Sequence, residues 1–366
     1  MLDTRRFAQR RQHGLRLRWL LFRNRLIASP AFQRWALGNP LTRMKTRRHA
    51  RALFDLTAGF VYSQVATALV ESGLLDVLAA EPLATSDAAM LAGLDEAAAR
   101  TLLTAAASLD LTEMQDGLWT LGERGAALAG TPGLGDMIRH HRLFYADLAD
   151  PLAMLRREGP TRLSSLWDYA AGAGAEEAAT YSRLMTATQP LVAAQAIAAF
   201  PFARHRALLD IGGGQGAFLR AVGDAAPGLR LGLFDRPEVI ATLAPSANIT
   251  VHAGSFLADP LPRGYDLHTL VRVLHDHDDA AAMTLLRASR AALAPGGKLV
   301  IVEPMATLGG APEGHAYFGF YLAAMGSGRP REMAEIKAMA AAAGFISAKE
   351  RSTPLPLVAR CLEVRA

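Results

Sequence analysis

"LLDIGGGQGAFLRAV" spans residues 208–222 and decides how the chain is read. Leu208, Leu209 and Ile211 form an apolar run around Asp210, glycines follow at 212, 213, 214 and 216, and Ala217 opens a helix-like pattern. Glycines let a chain turn sharply and let a ligand approach the backbone without meeting a Cβ. The spacing therefore predicts a strand, a tight turn suited to close approach, and a helix. Gly212-x-Gly214-x-x-Ala217 fits a dinucleotide fingerprint, and Asp210-x-Gly212-x-Gly214-x-Gly216 fits an S-adenosylmethionine loop. The loop alone does not choose between them, and a glycine-rich turn with no ligand has the same composition.

Outward from this stretch, strand-like and helix-like segments alternate. "RLGLFD", "ITVHAG", "DLHTLVRVL" and "KLVIVEP" read as further strands after "ALLDIGG". Such alternation predicts a parallel, doubly wound α/β sheet with helices on both faces. Ligands of these sheets sit at the carboxyl ends of the strands. The residues there are Asp210 with its glycines, then Asp235, Ser255 with Phe256, His275 with Asp276, and Glu303.

An acid after the second strand can accept both hydrogen bonds of a ribose diol with either cofactor. The last two positions discriminate. Hydride transfer has no evident need for a histidine at the fourth strand end and a glutamate at the fifth. Methyl transfer to oxygen does, because the nucleophile must lose a proton as the methyl arrives. Histidine, with an unperturbed pKa of about 6.5, suits that task, and a carboxylate can orient it. Asp276 reads as a helix-start acid.

The half before the sheet is helical and rich in Ala and Leu. "TAGFVYSQVATALVESGLLDVLA" reads as a long buried helix passing into a second. Thr85 or Ser86 is expected to cap "SDAAMLAGL", and Asp95 to begin "DEAAARTLLTAAASLDL". In "LTEMQDGLWTL", Asp116-Gly117 signals a hairpin. Helices followed by a hairpin predict a winged helix, a module that binds DNA or serves as a dimerisation surface. Its would-be recognition helix carries one arginine and three acids, which is poor for gripping phosphates. Residues 136–195 continue helically, with "GPTRLSSLWDYAAGAGAEEA" as a loop-rich interruption.

Charge is unevenly placed. Residues 1–51 hold thirteen Arg and one Lys against Asp3, a net charge of +13, so the remaining chain is net −8. Such an arm suits a polyanionic neighbour. In "LRLRWLLFRNRLIA", Leu15, Trp19, Phe22 and Leu26 form a helical stripe with arginines on both flanks. Arginines interrupt every apolar run, excluding a membrane span or an ordinary signal core within that stretch. A helix lying on an anionic membrane and an arm packing on a partner subunit both fit the stripe. The single cysteine, Cys361, excludes an intramolecular disulfide, and no histidine pair stands at metal-ligand spacing with a matching carboxylate.

The ordered set "LLDIGGGQGAF…LFDRPEVI…GSFL…RVLHDHDD…APGGKLVIVEP" resembles the S-adenosylmethionine-dependent O-methyltransferases of the plant caffeate and bacterial polyketide type. The likeness runs from about residue 52 to the end, and five motifs in order make it specific. The basic arm and "RALFDLTAGFVYSQ" carry a narrower likeness, to the bacterial hydroxyneurosporene (demethylspheroidene) branch. The resemblance implies a Rossmann-like methyltransferase domain, residues 196–366, after a helical winged-helix dimerisation domain, residues 52–195, and the arm, residues 1–51. It implies a homodimer using S-adenosylmethionine, releasing S-adenosylhomocysteine, and needing no metal.

Position by position, the resemblance implies that Gly212 and Gly214 admit the methionine portion and Asp235 the ribose. Ser255 and Phe256 would lie along the adenine, His275 would be the base, and Glu303 would hold it. Arg272 would neutralise Asp210 or the cofactor carboxylate. Two positions depart from the family pattern: Ser255 stands where Asp is common, and Pro330 of "GSGRPRE" stands where a second Glu often flanks the base. His275 is then expected to have one carboxylate partner unless Glu332 swings in.

The expected acceptor pocket draws on His141, Tyr145, Met185, Phe318, Tyr321 and Met325. Adjacent His140 and His141 are not expected to face one pocket on a regular helix. The aromatic run "YFGFYLAAMGSG", expected to help wall that pocket, contributes almost no polar groups, which suits a long apolar acceptor with one hydroxyl. The tertiary hydroxyl of a 1-hydroxycarotenoid is the first expectation, a tetrapyrrole ring carbon the second, and a polyketide or quinone phenol the third. A carotenoid acceptor implies a cytoplasmic enzyme in peripheral contact with the inner or photosynthetic membrane through residues 1–51. The reading from another class is a non-catalytic winged-helix regulator of DNA.

Overall fold

Continuous apolar strands build the core around the large sheet, as parallel strands covered on both faces require. In the computed structural model, which describes residues 14–169, 175–243, 248–305 and 312–366, nine strands form two sheets. The first pair is β1 (Thr112–Gln115) and β2 (Leu118–Leu121). Next come β3 (Ala207–Ile211), β4 (Arg230–Asp235), β5 (Ile249–Ala253) and β6 (Leu267–Val271). The last are β7 (Lys298–Glu303), β8 (Ser347–Arg351) and β9 (Arg360–Arg365).

The large sheet has the order β5-β4-β3-β6-β7-β9-β8. The five strands from β3 to β7 pair in parallel, as the alternation predicts. The antiparallel pairings of β9 with β7 and with β8 were not anticipated. The winding reverses between β3 and β6, which opens a crevice at their carboxyl ends. The glycine turn leaves β3 at that point, and the segment carrying His275 leaves β6 there. Side-chain alternation splits the core into two layers. Leu209 and Ile211 join Leu285 and Ile336 on one face, whereas Leu208 joins Phe218, Leu219 and Val192 on the other.

Two compact units, Met1–Ala68 and Leu69–Ala366, divide the chain. In the first, helices Leu15–Ala28 and Pro30–Gly38 precede Pro40–Glu71, which runs on into the second. Residues 1–13 of the arm lie outside the described residues. The stripe Leu15, Trp19, Phe22 and Leu26 is exposed, with the Trp19 and Phe22 rings 5.8 Å apart. Leu17 and Leu21 are exposed on the opposite side, so the arginines form ridges between two apolar faces. The long helix was expected to be buried. Within the stretch from Thr57, Phe60 and Val61 are instead exposed in the single chain, whereas Thr67, Leu69 and Val70 are buried; Leu53, Phe54 and Leu56, before it, are exposed as well.

The second unit begins with helices Leu74–Ala80, Thr85–Ala92 and Glu96–Ser108, followed by the β1–β2 hairpin. Asp116 and Gly117 both take positive φ, the turn geometry that Asp-Gly favours. Asp95 caps its helix by accepting from the Ala98 amide at 2.7 Å. Thr85 is not a cap: Ala84 holds that position, and Thr85 Oγ1 accepts a hydrogen bond from Trp119 Nε1 at 3.0 Å. The expected loop-rich interruption contains helix Arg162–Tyr169 and the start of Ala175–Ala199, while residues 170–174 lie outside the described set.

Candidate active site

Asp210 faces Thr269 across the β3–β6 register, and the Thr269 hydroxyl donates to Asp210 Oδ1 at 2.6 Å. Burial pushes the Asp210 carboxyl up to about 7; the Thr269 bond opposes this and the neighbouring Asp235 charge adds to it. Beyond it the chain turns through Gly212 (φ +73°) and Gly214 (φ +55°), a region that only glycine enters readily. A Cβ on Gly212 would come within 2.8 Å of Val273 Cγ2, whereas one on Gly214 would meet no protein atom within 4 Å. Gly212 is thus required by packing, and Gly214 faces open space.

That space is a cavity of about 380 Å³. The glycine turn, Asp235, Ser255, Phe256, Arg272 and Met185 all border it. Asp235 Oδ2 accepts from the Gly214 amide and Oδ1 from the Arg236 amide, each at 2.7 Å. Each oxygen keeps a further lone pair for a diol. Burial raises the Asp235 carboxyl, and the two backbone amides work against that rise. The Asp259 carboxylate accepts the Ser255 amide at 2.8 Å, which returns an acid to the neighbourhood where Ser255 lacks one.

Arg272 is itself left-handed, at φ +56°. Its guanidinium donates to Thr188 Oγ1 at 2.8 Å, to the Met185 carbonyl at 2.9 Å and to Gln189 Oε1. It therefore pins helix Ala175–Ala199 as one cavity wall, a contact the sequence reading did not foresee.

His275 sits in a single 3-10 turn, Leu274–Asp276, and is buried. Its Nε2 lies 3.0 Å from Asp276 Oδ1, and its Nδ1 lies 3.7 Å from Glu303 Oε2, too long for a hydrogen bond. Glu303 holds the turn through its backbone, because Oε1 accepts from the Leu274 and His275 amides. Asp276 is thus the second carboxylate, and not a helix-start acid. Helix Asp279–Ala292 starts after Asp278, and Glu332 instead caps helix Met333–Ala342. Burial lowers the imidazole pKa, but the Asp276 and Glu303 carboxylates outweigh it and push it up to about 10.

The expected acceptor residues divide. Met185 borders the cavity, and the Phe318 ring stands 6.5 Å from that of His275. Tyr321 and Met325 are packed with Phe144, Met154 and Leu163 and lie off the cavity lining. Tyr145 is half-buried on helix Leu134–Asp147. His140 and His141 both lie off the cavity lining and instead face one neighbouring helix. Their Nε2 atoms share hydrogen bonds with the hydroxyls of Tyr321 (2.9 Å) and Tyr317 (2.8 Å) on helix Pro312–Met325. Consecutive positions straddle the line along which two helices meet. Burial lowers both imidazoles, His140 to about 4 with His141 adding to the effect, which favours the neutral form of each.

The crevice can take a diol at Asp235, and Asp276 and His277, which follow His275, line it, while the His275 ring itself lies off that lining; such a crevice fits an adenosyl cofactor. The fold and site define an S-adenosylmethionine-dependent methyltransferase of the Rossmann-like class. The family model for the O-methyltransferase domain matches residues 145–346, and the chain belongs to that family. It is 44% identical to a demethylspheroidene O-methyltransferase of Cereibacter sphaeroides over 341 residues, 89% of each chain. With the enzyme of that name from Rhodobacter capsulatus it shares 42% over 332 residues, 88% of this chain and 84% of that one. The fold matches human N-acetylserotonin methyltransferase in complex with S-adenosylmethionine at a TM-score of 0.73 and 24% identity, covering 87% of this chain and 97% of that one. Among the described residues no cluster of His, Cys, Asp or Glu can hold a metal ion.

Proposed function

We propose that the chain methylates the tertiary hydroxyl of a 1-hydroxycarotenoid, with His275 as general base. The observation that carries the acceptor assignment is the 44% identity, over 89% of both chains, with a demethylspheroidene enzyme. The apolar and aromatic surroundings of Phe318 and helix Pro312–Met325 support it.

S-adenosylmethionine supplies an electrophilic methyl group on a sulfonium sulfur. Gly214 leaves room for the cofactor, Asp235 would hold its ribose diol, and Ser255 and Phe256 would lie along the adenine. A tertiary alkoxide is too basic to form in advance. The O–H proton would therefore pass to His275 Nε2 in concert with transfer of the methyl to oxygen, leaving a methyl ether, S-adenosylhomocysteine and a protonated ring. Asp276 occupies Nε2 in this structure, so the acceptor hydroxyl replaces that carboxylate when the base is neutral. Alignment of hydroxyl and methyl is the larger contribution, and the base adds to it.

In this reading residues 1–51 form the arm, 52–195 the dimerisation domain and 196–366 the catalytic domain. Leu53, Leu56 and Phe60, spaced i, i+3 and i+7, are more than 60% exposed and give a second copy an apolar face to cover. The arm meets an anionic membrane, where a long polyene resides: Trp19 and Phe22 are 60% and 57% exposed between arginine ridges. Incubation with S-adenosylmethionine and 1-hydroxyneurosporene in anionic liposomes tests the acceptor. Methoxylated product supports the assignment. Methylation of a tetrapyrrole or a phenol, with the carotenoid untouched, overturns it.

A further inference from the structure

The turn that carries His275 is held by its carbonyl groups as well as by its amides. Arg331 Nη1 donates to the Leu274 carbonyl and Nη2 to that of His277, each at 2.7 Å. The Arg329 amide donates to the His275 carbonyl at 2.9 Å, and Ser327 Oγ to that of Asp276 at 2.8 Å. Every carbonyl from 274 to 277 therefore ends on a donor from the segment 327–331. Gly328 permits the approach: a Cβ there would lie 2.0 Å from the His275 carbonyl oxygen.

Arg331 is the unusual member. Only 1% of it is exposed, and its carboxylate partner among the described residues, Asp279 at 2.7 Å, is largely in solvent. Burying a guanidinium is costly unless its donors are satisfied, and here backbone carbonyls of the catalytic turn supply much of that satisfaction. The segment also follows helix Pro312–Met325 directly, the helix that places Phe318 beside His275.

We propose that Arg331 is a positioning residue for the methyl transfer, fixing the direction of the His275 ring by gripping the carbonyls on both sides of it. Together with Ser327 it links helix Pro312–Met325 to that turn, so that the acceptor-side wall and the base keep one geometry. This rests on the reading of His275 as base. A lysine at 331 has no planar fork and cannot hold two carbonyls and a carboxylate together.

The ring of His275 reports its own position. It faces Asp276 and Glu303, with His277 and Arg331 also nearby. A relaxed turn carries Asp276 away from Nε2 and weakens the imidazolium. The test is an NMR titration of the full chain carrying ¹³Cε1-labelled histidine, with S-adenosylhomocysteine present. His275 is assigned by the signal that His275→Gln removes. In Arg331→Lys the His275 midpoint moves down by at least about one pH unit relative to wild type. Ser327→Ala removes one donor from a half-buried site and shifts it in the same direction by less. A folded Arg331→Lys whose His275 titrates where wild type does overturns the proposal. If Arg331→Lys does not fold, Ser327→Ala decides alone, and an unmoved midpoint overturns it. The base reading fails separately, if His275→Gln retains turnover.

Discussion

Asp276 Oδ1 lies 3.0 Å from His275 Nε2, the nitrogen proposed to take the acceptor proton. Although burial alone would lower it, the ring is pushed up to about 10 because Asp276 and Glu303 stabilise its charged form. Catalysis needs the neutral ring, so the acid limb of kcat/KM is expected well above the ordinary histidine range. Asp276→Asn removes a negative charge, lowers the imidazole pKa and moves that limb to lower pH. A kcat/KM profile against pH checks this, and an unmoved limb would show that another group controls it.

The two glycines of the cofactor turn should respond differently. Gly212→Ala places a Cβ 2.8 Å from Val273 Cγ2 at a positive φ, so its main effect is lost stability, read by thermal melting. Gly214→Ala pays only the left-handed strain, about 1–2 kcal/mol, because nothing of the protein is in its way. Its methyl enters the space assigned to the cofactor. Calorimetry should therefore show weaker S-adenosylmethionine binding in a protein that still folds.

Asp210 gives a pH signature. Its carboxyl is pushed by burial from 3.8 to about 7, so between those values the folded chain binds more protons than the unfolded one. Without cofactor, stability from this group falls as pH rises through that window and stays low above it. Asp210→Asn can still accept from Thr269 and has no charge to bury. Its melting temperature should fall less than that of wild type between about pH 5 and about pH 8. Parallel curves would contradict the assignment.

Removal of residues 1–50 should abolish co-sedimentation with anionic liposomes and leave S-adenosylmethionine binding intact. Each basic residue near such a surface contributes about 1 kcal/mol, so high salt should release the full chain. Equal sedimentation of the truncated and full chains would show that the arm is a packing element.

Backbone rules made much of the fold legible. Glycines after Ile211, alternating apolar runs and Asp116-Gly117 each force local geometry, and β3 to β7 follow from them. The antiparallel β8 and β9 escaped because "SAKER" shows no apolar alternation and sits at the sheet edge. Strand-end residues were legible because a parallel sheet gathers them at its switch point. Long-range side-chain choices were not: Thr85 pairs with Trp119, Arg272 with helix Ala175–Ala199, and Asp276 turns back on His275. Arg331 left only a faint signal, two arginines in "GSGRPRE" after an aromatic helix.

The most direct test of the central claim is mass spectrometry of the acceptor after incubation with S-adenosylmethionine, for wild type and His275→Gln side by side. The account predicts a 1-hydroxycarotenoid heavier by one methylene, carried as a methyl ether. His275→Gln should form it 10²–10⁴-fold more slowly, about the contribution of a general base, with unchanged cofactor affinity. Equal rates for the two proteins, or no methyl on the hydroxyl with wild type, would contradict it.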